Sequence, residues 1–369
     1  MKNHGRSWLL LAALYFFFSP TAQADCEFNQ GSGYITALKS YTIPLPATTI
    51  SVPPDTPVGK EIYRLTIYFA NQGWLRINCT SSGQFYKGYD YLTTPLLPSD
   101  YSTTVYQTGV PGIGVKFVYG NSRGDFPAKV NENCMGINCN YPSSGWDADS
   151  RVVFVKTADV VTAGIIEGSQ LPTALYSAGQ NDSMLDVYKV SLSGSLQITS
   201  PTCNITAASK TMTVNMGKHK ITAFTSKGAT TEWKNASIQL ANCGRFYGNI
   251  PSGFRAGVFD GNTFTPDDPN INNFLSISLT PLNGSEDAAK GIMKIADHPL
   301  KATGVGIQLS TSESTSGLVN LASPTLKQTL PKDGSQEITV PLYARYIQTA
   351  DSVIAGKSNG LLEYVITYQ

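Results

Sequence analysis

The sequence predicts an all-β protein built from two β-sandwich domains. Three observations lead there. Apolar and polar residues alternate in short runs along the chain, while 3.6-residue periodicity is scarce. The runs are separated by Gly, Pro, Asn and Ser, residues that supply turn conformations. Charged residues make up only 14% of the 369 residues, and six cysteines follow an export-type N-terminus, a combination suited to an extracellular sandwich.

The N-terminal 24 residues read as a secretory signal. Lys2 and Arg6 form its positive region, Trp8 to Phe18 its apolar region, and Ala22-Gln23-Ala24 its cleavage site, so the exported chain is expected to start at Asp25. The apolar run is too short for a membrane span, and no other segment is long and apolar enough to be one. Cleavage leaves about 345 residues, enough for two domains. Losing Lys2 and Arg6 lowers the formal charge of +1 by two, to about −1, and no basic stripe argues for nucleic acid.

The cysteines are Cys26, Cys79, Cys134, Cys139, Cys203 and Cys243, an even number in an exported chain. Of the fifteen possible connectivities, Cys26–Cys79, Cys134–Cys139 and Cys203–Cys243 keeps each bridge inside one domain. None of the three histidines lies near a cysteine cluster, so no metal or other cofactor is expected.

The strands follow in order. Tyr63, Leu65, Ile67 and Phe69 alternate with polar neighbours; Val115, Phe117 and Tyr119 do so after the turn Pro111-Gly112; Arg151 to Thr157 is a mostly apolar run. The segment Ser191-Leu192-Ser193-Gly194-Ser195 is small and flexible in composition, which sets the boundary between domains 25–197 and 198–369. Beyond it, strands are expected at Met212/Val214/Met216, Leu275/Ile277/Leu279 and Val305/Ile307/Leu309, and over Ile338 to Tyr346, where Pro341 implies an edge or a bulge. The closing stretch puts Leu362, Tyr364, Ile366 and Tyr368 on one face, and Glu363, Val365, Thr367 and Gln369 on the other. A terminal strand with an apolar face and an open edge is an aggregation hazard unless covered. It suggests a subunit whose sheet is finished by another chain.

The second half carries a family resemblance. Thr202-Cys203-Asn204-Ile205, Ile238-Gln239-Leu240-Ala241-Asn242-Cys243, Val340-Pro341-Leu342-Tyr343-Ala344-Arg345-Tyr346 and Glu363-Tyr364-Val365-Ile366-Thr367-Tyr368 resemble, in order and spacing, a chaperone–usher pilin domain. The resemblance implies an incomplete immunoglobulin-like sandwich. Its missing strand would be lent first by a periplasmic chaperone and then, after passage through an outer-membrane usher, by an adjacent pilin subunit. Tyr368 matches the end that the family's chaperone recognises. Cys26 would be the second residue after cleavage, leaving no free arm to donate, so a fibre tip position is expected.

The first half resembles the receptor-binding domains of two-domain tip adhesins, those of type 3 fimbriae above all. The matching residues are Pro54-Asp55-Thr56-Pro57-Val58-Gly59, Cys79, Val105 to Val115, and Phe154-Val155-Lys156-Thr157. The implied function is attachment to an extracellular-matrix protein or a glycan from the cell surface, reached through the periplasm. The alternative is a minor structural pilin that caps or initiates the fibre.

Two binding candidates stand out. Phe85-Tyr86-Lys87-Gly88-Tyr89-Asp90-Tyr91 offers Tyr86, Tyr89 and Tyr91 as ring faces for a sugar, with Trp74, Trp146 and Asp147 as further contributors. Arg123-Gly124-Asp125 resembles the integrin-recognition tripeptide, with opposed charges on a turn-like loop. Enzymatic readings are weak. His219 and His298 both fall in the pilin-like half, and Asp147 and Asp149 read as loop acids, so no enzyme is expected.

Overall fold

The computed structural model describes residues 25–69, 73–120, 123–141, 150–181, 183–251, 255–267 and 270–369. The signal segment 1–24 and the candidates Trp146, Asp147 and Asp149 lie outside the described residues.

The N-terminal half is built from β1 (Cys26–Phe28), β2 (Lys39–Ser51), β3 (Glu61–Ile67), β4 (Leu75–Thr93), β5 (Pro98–Ser99), β6 (Ser102–Gln107), β7 (Ile113–Tyr119), β8 (Gly124–Asp125), β9 (Ala128–Tyr141), β10 (Ser150–Lys156), β11 (Gly164–Glu167), β12 (Thr173–Gln180) and β13 (Ser183–Thr199). The C-terminal half continues with β14 (Asn204–Ile205), the one-turn helix α1 (Ala207–Lys210), β15 (Lys234–Asn235), β16 (Ile238–Ala241), β17 (Gly257–Phe259), β18 (Phe264–Pro266), β19 (Phe274–Pro281), β20 (Ser285–Asp287), β21 (Ile292–Met293), β22 (Val305–Ser310), β23 (Thr325–Thr329), β24 (Ile338–Val340), β25 (Tyr343–Gln348) and β26 (Leu362–Tyr368). The fold is all-β, as the alternation predicts.

Two sheets share the first core. One runs β1-β4-β12-β13-β11, with β2 on β13 and β9 on β4. The other runs β18-β17-β3-β10-β7-β6-β5, with β8 on β7. Tyr63, Leu65 and Ile67 of β3 point into this core with Val115 and Phe117 of β7, the faces that their period-two spacing assigns. The disulfide Cys26–Cys79 ties β1 to β4, and Cys134–Cys139 closes a loop within β9.

The expected boundary at 197/198 falls inside β13. Ser191-Leu192-Ser193-Gly194-Ser195 is no linker: Ser191 to Gly194 pair in parallel with Thr42 to Leu45 of β2. The physical reason is a disguised alternation. Leu192, Leu196 and Ile198 are buried, while small and polar residues take the outward positions. Gly194 absorbs a register shift at φ 69°, a left-handed conformation that glycine adopts without strain.

Nor does the C-terminal half keep to itself. The hairpin β17–β18 adds to the first half's sheet, Gly257, Val258 and Phe259 running parallel to Leu65, Thr66 and Ile67. Ile250, Ala256 and Phe259 are buried in the first core.

The remaining strands form three sheets around a second core: β14-β16-β24, β15-β25-β22-β21-β20 and β23-β19-β26. Cys203–Cys243 links β14 to the end of β16. Pro341 marks the point where the chain leaves β16 and joins β22 and β15, so the proline interrupts one long run into β24 and β25. The strand expected at Met212/Val214/Met216 is corrected. These residues alternate, with side chains half-buried against the second core, but they belong to no ladder.

Candidate strand-accepting groove and receptor-binding half

β26 pairs with β19 along one side only. Gln369 and Phe274 exchange two backbone hydrogen bonds, of 2.9 and 2.8 Å. In an antiparallel ladder such pairs alternate, so the odd-numbered residues of β26 bond to β19 and the even-numbered ones point their backbone groups away. The outward groups belong to Leu362, Tyr364, Ile366 and Tyr368, the four residues predicted to carry the apolar face.

Beside this edge lies a groove of ≈ 660 Å³. Its floor includes Ile238, Ile307, Leu309 and Ala344, and Met212, Val214 and Met216 line it as well. The groove is therefore apolar below and is flanked by two extended segments that lack a ladder partner on the facing side. Tyr364 donates its hydroxyl to the Ser209 carbonyl at 2.6 Å, fixing α1 against β26. Val365, on the opposite face, is exposed.

Tyr368, matched in the sequence to the family's chaperone-recognised end, lies on the apolar face of β26. It is buried, stacked against Phe246 at 6.3 Å between ring centroids. Its hydroxyl accepts from the Cys203 amide at 3.2 Å and donates to the Cys203 carbonyl at 3.1 Å. Burial pushes this phenol's pKa up, the Cys203 hydrogen bond opposes the shift, and the Asp55 charge adds to it. The Tyr368 amide donates to Asp55 Oδ2 at 2.8 Å, across to the N-terminal half. No sequence signal pointed to Asp55 in this role.

In the N-terminal half, the tyrosine cluster divides. Tyr89 is only 1% exposed, stacked on Tyr119 at 4.5 Å and packed against Phe126 and Tyr176. Tyr91 is half-buried; its hydroxyl accepts from the Phe117 amide at 3.1 Å, and its ring meets Tyr106 and Phe117. Burial raises the Tyr91 phenol well above its ordinary range. Tyr89 and Tyr91 are thus core residues, which corrects their reading as displayed rings. The period of two that groups them also puts Tyr86 on the other face of β4. There the Lys129 ammonium sits 4.8 Å from the centre of the Tyr86 ring. Trp74 is 53% exposed on the same half.

The tripeptide Arg123-Gly124-Asp125 is not a free loop. Gly124 and Asp125 form β8, paired with Tyr119 and Val118 of β7. Lys116 Nζ donates to both Asp125 carboxylate oxygens, at 2.8 and 3.0 Å, and Thr104 Oγ1 donates to Oδ2 at 3.0 Å. The acid is held by its own sheet. Arg123 remains exposed.

Two buried lysines escaped the sequence reading. Lys87 forms an ion pair with Glu132 at 3.0 Å. Lys156 donates to the Pro54 carbonyl; burial lowers its pKa, against the charges of Asp159 and Asp55. Lys156 follows the apolar run Val152 to Val155, which was the available signal, whereas Lys87 lies in a polar stretch of β4 that offered none. No cluster of metal-ligating side chains occurs among the described residues.

Residues 190–369 match the family model described as fimbrial protein, and residues 43–193 match that of the MrkD-like receptor binding domain. Among solved structures, the chain is similar to the receptor binding domain of the plasmid-borne adhesin MrkD1P of Klebsiella pneumoniae. That match has 20% identity over 50% of this chain and 99% of the other, with a TM-score of 0.34. It is also similar to the CupB6 tip adhesin from Pseudomonas aeruginosa, at 14% identity over 93% of both chains and a TM-score of 0.32. No curated protein matches the chain. A receptor-binding β-sandwich joined to a fimbrial domain defines a two-domain fimbrial adhesin. The chain carries domains of both these families, a MrkD-like receptor binding domain and a fimbrial protein domain, which span residues 43–369 between them.

Proposed function

We propose that this tip adhesin binds a host or surface receptor, an extracellular-matrix protein or a glycan, through its N-terminal half, and joins its fibre by accepting a strand along β26. On this reading the chain is exported through the periplasm. A periplasmic chaperone lends the first strand, an outer-membrane usher receives the complex, and an adjacent pilin subunit donates the final strand. The chemistry is binding rather than turnover.

The observation that carries this reading is the one-sided pairing of β26 over the apolar groove. A strand laid between β26 and residues 211–217 would satisfy outward backbone groups and bury the groove in one step. On the receptor side, Tyr86 beside Lys129, exposed Arg123 with Gly124, and Trp146 are the candidates retained for ligand contact.

The test compares the full chain expressed alone with the same chain carrying a Val/Thr-alternating strand on a flexible C-terminal linker. Aggregation of the first and a monomeric second form are expected. A stable monomer without any supplied strand would overturn strand acceptance. The stabilised form is then offered glycans, collagens and fibronectin. Saturable binding to one class identifies the receptor, and none from a folded sample favours the structural tip pilin.

A further inference from the structure

The Asp55–Tyr368 contact assigns a role to the receptor-binding half in strand acceptance, an inference that rests on the reading above. Of the four outward positions on β26, the amide of Tyr368 already has its acceptor: Asp55 Oδ2, at 2.8 Å. The carboxylate oxygen stands where the carbonyl of a paired strand would stand. Asp55 reaches it from a loop that is itself tied down. Thr56 N donates to Pro53 O at 3.1 Å, Gly59 N donates to Lys156 O at 2.7 Å, and buried Lys156 holds the Pro54 carbonyl. Tyr368 is fixed from the other side by both backbone groups of Cys203 and by the Phe246 ring. Asp55 is an exposed residue, but the loop that carries it is held by its own backbone hydrogen bonds, and Tyr368 is buried.

We infer that Asp55 terminates the strand-accepting edge. An incoming strand pairs along Leu362, Tyr364 and Ile366 and ends against the receptor-binding half. The seat of the strand is thus made by both halves of the chain, and Asp55 is its positioning residue. A five-residue run at about 3.3 Å per residue gives a ladder on the order of 16 Å.

The experiment follows amide hydrogen exchange by NMR in the full chain bound to a synthetic peptide of 13 alternating valines and threonines with lysines at its ends. In the wild type, the Tyr364, Ile366 and Tyr368 amides should all be protected. Asp55→Ala should speed exchange at Tyr368 at least tenfold and leave Tyr364 and Ile366 unchanged. Asp55→Asn, which keeps an acceptor oxygen, should retain the protection and guards against a folding defect in the alanine variant. Unchanged Tyr368 exchange in Asp55→Ala would overturn the role of Asp55. Failure of the peptide to protect Tyr364 and Ile366 in the wild type would overturn strand acceptance instead, so the two ideas fail separately.

Discussion

The ring of Phe259, from the C-terminal half, meets the ring of Tyr41, from the N-terminal half, edge to face with centroids 5.4 Å apart. Tyr41 in turn leans on Phe69 and Tyr188, so Phe259 completes an aromatic cluster it does not belong to by sequence. Its strand, β17, occupies the edge of β3 that would otherwise be open. The receptor-binding sandwich therefore borrows an edge strand from the fimbrial half of its own chain.

Phe259→Ala is expected to destabilise the first sandwich by about 3–5 kcal/mol, the range for truncating a buried phenylalanine. Denaturant unfolding of the strand-stabilised full chain, followed by near-UV circular dichroism, measures this. An unchanged midpoint would mean that the hairpin packs loosely.

A fragment ending at residue 197 discards Ile198, which is fully buried, together with β17 and β18. Exposed edges recruit other strands. Residues 25–197 should therefore self-associate, while residues 25–199 joined by a linker to residues 250–267 should stay monomeric. Sedimentation velocity separates these outcomes; a monomeric short fragment would show that the β3 edge tolerates exposure.

Asp125 is held by Lys116 and Thr104, so its removal should act on stability before it acts on binding. Asp125→Ala is expected to lose about 1 kcal/mol, as suits a partly exposed ion pair. Asp125→Glu, which lengthens the side chain, should also disturb this pair. Integrin binding by the wild type that disappears in the glutamate variant at unchanged stability would restore the tripeptide as a receptor site.

Alkaline pH should unfold the first sandwich cooperatively. Burial raises the Tyr41 phenol to about 12 and pushes those of Tyr63, Tyr91, Tyr141 and Tyr188 higher still, against an ordinary value of 10.0. Above pH 10 the unfolded chain sheds these protons while the folded one keeps them, so stability present below pH 10 falls as pH rises toward 12 and beyond. Lys156 works in the other direction, because its lowered pKa relieves a burial penalty as pH rises, but it is a single group. Above the gradual rise from exposed tyrosines such as Tyr101, tyrosinate absorbance should show a late, steep step that coincides with unfolding; absence of that step would show the buried rings to be accessible.

Much of the architecture is local and could be read from residue order. Leu275, Ile277 and Leu279, or Leu362, Tyr364 and Ile366, announce strands because a period of two survives any surroundings. The three disulfides follow from cysteines kept within one domain. Alternation says which residues share a face, but not which face turns inward. That is why Tyr89 and Tyr91 looked like binding rings until Tyr119, Phe126 and Phe117 closed over them. Small outward residues likewise hid the end of β13 behind a linker-like composition. The pairing of Phe259 with Tyr41, and of Asp55 with Tyr368, joins segments more than two hundred residues apart. No local pattern encodes such contacts, since they arise only when sheets from both halves compete to bury the same edges and amides.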